Sequence, residues 1–161
     1  MSAEDVLTEQ KNLRFQFGRN WTGFVRRNLN EQRIETARKH ILDFLKREDL
    51  KGLDFLDIGS GSGIHSAAAF AAGAGEICSF DFDPKSVAAT TVVRARTGNP
   101  ASWRVIRGDV LDDDLMNSLG TWTFVYSWGV LHHTGDVWHA LENASRAVAN
   151  HGLFYVALYS A

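Results

Sequence analysis

Phe55-Leu56-Asp57-Ile58-Gly59-Ser60-Gly61-Ser62-Gly63-Ile64-His65 is the stretch whose reading decides the fold. Leu53, Phe55, Leu56 and Ile58 make a short apolar run that breaks into alternating glycines, and an alanine-rich helical pattern from Ser66 to Ala72 follows at once. Strand, glycine turn and helix in that order form the opening unit of a doubly wound α/β nucleotide-binding sheet. The glycines let the backbone turn tightly and leave no side chain between it and a ligand. Their spacing separates the nucleotide classes. A loop of the form G-x-G-x-x-G would put its third glycine at position 64, where this chain has Ile64; its glycines stand at 59, 61 and 63, beginning two residues after Asp57. A pyrophosphate seeks helix-terminal N–H groups and avoids a nearby acid, whereas a ligand bearing positive charge favours one. Asp57 suits the cationic ligand. The plainer alternative is an ordinary tight strand-to-helix connection.

The chain has 161 residues, enough for one domain with a real core. With 45% hydrophobic and 22% charged residues it has the composition of a globular protein, and its net charge of −2 gives no basic surface for nucleic acid or membrane. Cys78 is the only cysteine, which excludes an intrachain disulfide and a cysteine-cluster metal site; it reads as a buried small hydrophobe. No signal peptide or apolar run of spanning length occurs, which predicts a cytoplasmic protein.

Phe15, Phe17, Trp21 and Phe24 crowd an N-terminal segment rich in arginine. This segment is expected to clasp the domain, to form a lid over the site, or both. A helix is expected from about Asn30 to Arg47, with Asn30 as N-cap and Ile34, Ala37, Ile41, Phe44 and Leu45 on one face. Residues 1–52 then make the clasp and first helix, and 53–161 the sheet core. A second strand from about Glu76 ends in Asp81-Phe82-Asp83-Pro84. Asp83 caps the next helix and Pro84 opens it. Asp81, at the strand tip 18 residues after Gly63, lies near the spacing at which an acid reaches ribose hydroxyls. A third strand, about Ser102 to Arg107, leads to Gly108-Asp109-Val110, where a polar residue could take a hydrogen bond from an adenine amino group or simply make a turn. A fourth strand, about Trp122 to Ser127, precedes Trp128-Gly129-Val130-Leu131-His132-His133-Thr134. The last helix should carry Val137, Leu141, Ala144 and Val148 on one face, with His151-Gly152 turning into a fifth strand from Leu153 to Tyr159. The alternation predicts a parallel sheet with right-handed crossovers.

Together these pieces resemble the class I S-adenosylmethionine (SAM)-dependent methyltransferases: Asp57-x-Gly59-x-Gly61-x-Gly63, Asp81, Gly108-Asp109 and the Tyr126-to-Thr134 stretch, with Phe17, Gly18, Asn20 and Trp21 upstream. The resemblance covers residues from about 15 to 160. It implies a Rossmann-like sheet of strand order 3-2-1-4-5, SAM as cofactor and S-adenosylhomocysteine as product. It places Asp57, Gly59, Ser60, Gly61 and Gly63 at the methionine end and Asp81 with Phe82 at the ribose. Asp109 and Val110 fall at the adenine, and Ser127 and Trp128 beneath the methionine moiety. Ser60 stands where such loops often carry Cys or Thr. Class I enzymes continue past strand five with an antiparallel pair, whereas this chain stops at Ala161. A fragment or a minimal form is expected, with the outer edge of strand five covered by a second copy or by further sequence.

Methyl transfer from a sulfonium mainly requires alignment and exclusion of water, and it needs a base only when the acceptor must lose a proton. His132 and His133 are the candidates for that base, with hydrogen bonding within the loop as the alternative. No metal site is expected from His132, His133, Asp136 and His139. A methyltransferase acting on a small O- or N-nucleophile leads the functional readings. A non-catalytic SAM-binding module and a nicotinamide-dependent oxidoreductase are its rivals.

Overall fold

The computed structural model describes residues 30–159. Among the described residues five strands, β1 (Phe55–Ile58), β2 (Ile77–Asp81), β3 (Trp103–Arg107), β4 (Trp122–Trp128) and β5 (Val148–Ala157), alternate with five helices. These are α1 (Glu31–Leu45), α2 (Ile64–Ala71), α3 (Pro84–Arg96), α4 (Asp113–Leu119) and α5 (Val137–Arg146), with a 3-10 turn at Leu131–His133. The strands pair in parallel in the order β3-β2-β1-β4-β5, the Rossmann-like order expected from the sequence. The aromatic clasp at Phe15 to Phe24 lies outside the described residues. No helix among the described residues is long and apolar enough to cross a membrane.

Side-chain alternation along β1 divides the core into two layers. Phe55 packs with Ile41 and Leu42 of α1, Ala67 to Ala69 of α2, and Ala89 and Val93 of α3. Leu56 and Ile58 point to the opposite face, against Met116 and Leu119 of α4 and Ala140 and Ala144 of α5. Burial on both faces explains why the central strands read as apolar runs rather than alternating ones. The small residues of α2 let it approach the sheet closely, and its Ala67, Ala68 and Ala69 are at most 1% exposed. Asn30 and Asp83 cap where the sequence places them, their side chains accepting from the N–H groups of Arg33 and Lys85, and Asp112 caps α4 by accepting from Leu115 N–H.

Two local expectations are corrected. Phe44 leaves the buried face of α1 and is 63% exposed, its ring edge-on to Tyr155 at 4.4 Å, while Leu42 takes the core position. α5 ends at Arg146, and Val148 is already in β5, paired with Trp122. Between that pair and Phe124↔Leu153 the register shifts, because residues 149–152 fold out as a bulge with His151 at φ 61°.

Gly63 caps α2 in the left-handed region, at φ +79°, and a Cβ there would lie 2.9 Å from the backbone Cα of Thr90 in α3. Gly63→Ala should therefore combine the left-handed penalty with a clash against backbone, for a loss on the order of 2–4 kcal/mol in urea unfolding. A loss well under 1 kcal/mol would show that α3 yields.

Candidate functional site

In open α/β sheets a crevice forms at the carboxyl ends of the strands where the strand order reverses. Here that point is between β1 and β4, and a cavity of about 310 Å³ lies there. Its floor is the glycine turn after β1. One side is built from the tips of β2 and β3, with Asp81, Phe82, Asp83 and Val110; the other is built from the segment after β4, with Trp128, Val130 and His133.

The turn is held from beneath by a buried polar chain. Trp103 Nε1 donates to Ser79 Oγ at 2.8 Å, Ser79 and Ser66 hydroxyls meet at 2.6 Å, and Ser66 Oγ donates to Asp57 Oδ2 at 2.5 Å. All four residues are at most 2% exposed. Because the indole can only donate and Ser66 gives its proton to Asp57, the Ser79 proton must go to Ser66. Burial, outweighing the Ser66 bond and assisted by the charge of Asp81, lifts the Asp57 pKa to about 7. Asp57 therefore stands behind the loop rather than on the cavity wall, a placement its position in the sequence did not reveal.

The loop amides are also accounted for. Gly59 and Ser60 N–H both donate to Phe80 O, at 2.9 and 3.0 Å, and Gly63 N–H donates to Ser60 O at 2.8 Å. Gly61 N–H donates to Asp81 Oδ2 and Asp83 N–H to Asp81 Oδ1, each at 2.9 Å. Asp81 thus pins the loop to β2 while its carboxylate lines the cavity. Ser60 Oγ bonds Thr90 Oγ1 at 2.9 Å, and a Cβ on Gly59 would sit 2.5 Å from the Val130 side chain, so β1's turn fits closely against both neighbours.

Of the residues singled out from the sequence, Gly59, Ser60, Gly61, Asp81, Phe82, Val110, Trp128 and His133 meet at the cavity. Others stand outside its wall. Gly63 is buried against α3, Ser127 Oγ donates to Ile58 O at 3.1 Å, and Asp109 Oδ1 accepts from Leu111 N–H in a turn. His132 lies 3.9 Å from the His133 ring and edge-on to Tyr159, with a buried Nδ1 that has no partner. Burial, then the neighbouring His132, lowers the pKa of His133. Sequence reasoning missed His65, Val130 and Tyr159 on the wall. His65 could have been found: the second residue of a helix opening from the glycine turn lies beside that turn. Nothing in the pattern pointed to Tyr159.

The wall fits an adenosine-type ligand with a positively charged tail. Among the described residues its only charged side chains are Asp81 and Asp83, both acids, and the buried Oδ2 of Asp83 has no hydrogen-bond partner. Among the described residues no group of three or more His, Cys, Asp or Glu side chains could hold a metal ion.

Asp57 titrates at 3.8 in the free side chain and near 7 in the fold. Between these values the folded state holds the proton more tightly, so the neutral acid's stabilisation is complete below about 3.8 and is lost as pH rises through about 7. Asp57→Asn cannot ionise. It should remove the part of the stability loss between pH 5.5 and 8 that belongs to this group, on the order of a kcal/mol or more by urea unfolding. An identical pH slope in both proteins would exclude Asp57 as the source.

Comparison with known proteins agrees with this geometry. A family described as a methyltransferase domain matches residues 29–161. No curated protein matches. Among solved structures, a Methanococcus maripaludis protein assigned as an S-adenosyl-L-methionine-dependent methyltransferase superposes with a TM-score of 0.69 at 18% identity, over 86% of this chain and 61% of that one. A chain in the complex of the Haloferax volcanii Trm112 methyltransferase activator with a protein assigned as a methyltransferase gives 0.63 at 24%, over 90% and 60%. The cyclase SpnF gives 0.60 at 15%, over 73% and 44%. The chain thus spans about three fifths or less of these proteins, and at such identities they show the fold. The family match goes further: over residues 29–161 the chain belongs to the family described as a methyltransferase domain, and the observed strand order agrees with that assignment.

Proposed function

We propose that the chain binds SAM in the cavity between β1 and β4 and transfers its methyl group to a small-molecule O- or N-nucleophile. The observation that carries this reading is the loop's hydrogen bonding. Four of its N–H groups are already taken by protein acceptors, one of them the carboxylate of Asp81, so the turn is a poor cradle for a pyrophosphate. The same carboxylate suits two ribose hydroxyls. Phe82 and Val110 would flank the adenine, the backbone of Gly59 to Gly61 would meet the methionine portion, and Trp128 would lie beneath it. SAM supplies an electrophilic methyl on a good leaving group. The chain's part is to align the acceptor and exclude water. Where the acceptor must lose a proton, His133 is the candidate base among the imidazoles on the wall, and burial with the neighbouring His132 lowers its pKa, favouring the unprotonated form.

Calorimetric titration with SAM, S-adenosylhomocysteine and NAD tests the cofactor: the first two should bind and NAD should not. Asp81→Ala should weaken SAM and its product alike by about 1.5–3 kcal/mol, roughly tenfold or more. Unchanged affinity in a folded variant would remove Asp81 from the ribose site. For an acceptor with an ionisable hydroxyl, His133→Ala should lower kcat and leave SAM affinity near the wild-type value; a joint fall would identify a loop-ordering residue instead.

A further inference from the structure

The cavity is electrically two-sided. Its acids, Asp81 and Asp83, lie at the β2 side, while the β4 side presents Trp128, Tyr159, His133 and His65 with no Lys, Arg, Asp or Glu among its described residues. His65 is the second residue of α2, and its ring lies over Tyr126 at 5.0 Å and beside Trp128 at 6.2 Å. Behind it stands His40, edge-on to Trp128 at 5.2 Å with Nε2 3.3 Å from the Tyr155 hydroxyl. Burial, then the charge of His40, pushes the His65 pKa down to about 4, so the imidazole is uncharged at physiological pH.

A SAM molecule with its ribose at Asp81 must run its tail across the glycine turn toward this neutral side. Resting on that reading, we propose that His65 is a specificity-determining residue for the methyl donor: an uncharged imidazole beside Trp128 leaves an aromatic wall that accepts a sulfonium. Aromatic faces attract cations, most strongly where water is excluded. A fixed positive charge at position 65 would oppose the sulfonium at short range. The neutral thioether of the demethylated product would be little affected. Its neighbours on the wall, Trp128 and Tyr159, carry no charge to mask the effect.

SAM and S-adenosylhomocysteine differ by one methyl group and one positive charge at sulfur, so the ratio of their dissociation constants reads this effect and cancels general damage to the site. Calorimetric titration of both ligands should be made on the wild type and on His65→Gln, His65→Lys and His65→Glu, with melting scans to confirm folding. We expect the ratio to move toward the product by roughly tenfold or more with lysine, to move toward SAM with glutamate, and to stay within about twofold with glutamine. Where His65→Lys does not fold, His65→Glu, opposite in sign, carries the test. Equal ratios in the charged variants overturn the role of His65 and leave the SAM site standing. Wild-type protein that binds neither ligand overturns the SAM site itself.

Discussion

Everything at the site depends on a carboxyl group buried in the middle of the sheet. Asp57 lies on the central strand with Ser79 and Tyr126 beside it on β2 and β4, at 2% exposure. A buried charge is costly unless hydrogen bonds meet it, and an orphaned buried donor is costly too. The chain from Trp103 through Ser79 and Ser66 resolves both problems at once, since each donor ends on the next acceptor and the last on Asp57. These four residues sit on β3, β2, α2 and β1, so one set of bonds fixes the first turn of α2 against three strands. The glycine turn spans the gap between β1 and α2. Its shape follows from where they are held.

Above that base, hydrogen bonding and charge divide the work. Asp81 grips the Gly61 and Asp83 amides and faces the cavity from β2, while the β4 side is left aromatic and neutral. The division matches a ligand that is a hydrogen-bond donor at one end and a cation at the other. A chain with a net charge of only −2 thereby holds a local separation of charge across one cavity.

Much of this was legible in the sequence. Apolar runs bounded by glycine, with helical periods between them, gave the alternation of strand and helix and the class of loop, because burial on both faces and positive backbone φ angles leave marks on residue type; the strand order was implied by the family resemblance. Caps were equally readable at Asn30 and Asp83. What failed to show depends on contacts distant in the chain. The register shift of β5 arises where Trp122 reaches Val148 before Phe124 meets Leu153, and no local pattern encodes such a pairing. Phe44 reads as core by periodicity, yet its ring settles on Tyr155, over a hundred positions away. For Asp57 the strand position was clear, but its removal from the wall depends on Ser66 and Ser79, whose hydroxyls carry no periodic signature.

The side of the cavity built by β3 shows how a remote helix can set the position of a wall residue. Val110 follows β3 in a turn closed by the Asp109 carboxylate, and its carbonyl accepts from Asn143 Nδ2 at 2.9 Å. The same amide nitrogen donates to Asp113 Oδ1 at 2.8 Å, which also meets His139 Nε2 at 2.7 Å. Asn143 is 1% exposed and its bond to the Val110 carbonyl is buried, so that bond forms away from competing water and is worth more than a surface equivalent. One side chain of α5 thereby couples the start of α4 to the turn that carries Val110. A shift of α5 along the sheet would pull the turn with it, whereas an apolar contact would let the two slide. The aromatic side has a different kind of restraint, in the near-parallel stacking of Tyr155 on Tyr126 at 5.0 Å and on Trp128 at 5.8 Å. Stacked rings tolerate small displacements that hydrogen bonds do not. The β2–β3 side of the cavity is therefore the more rigidly specified, and the aromatic side has more room to adapt.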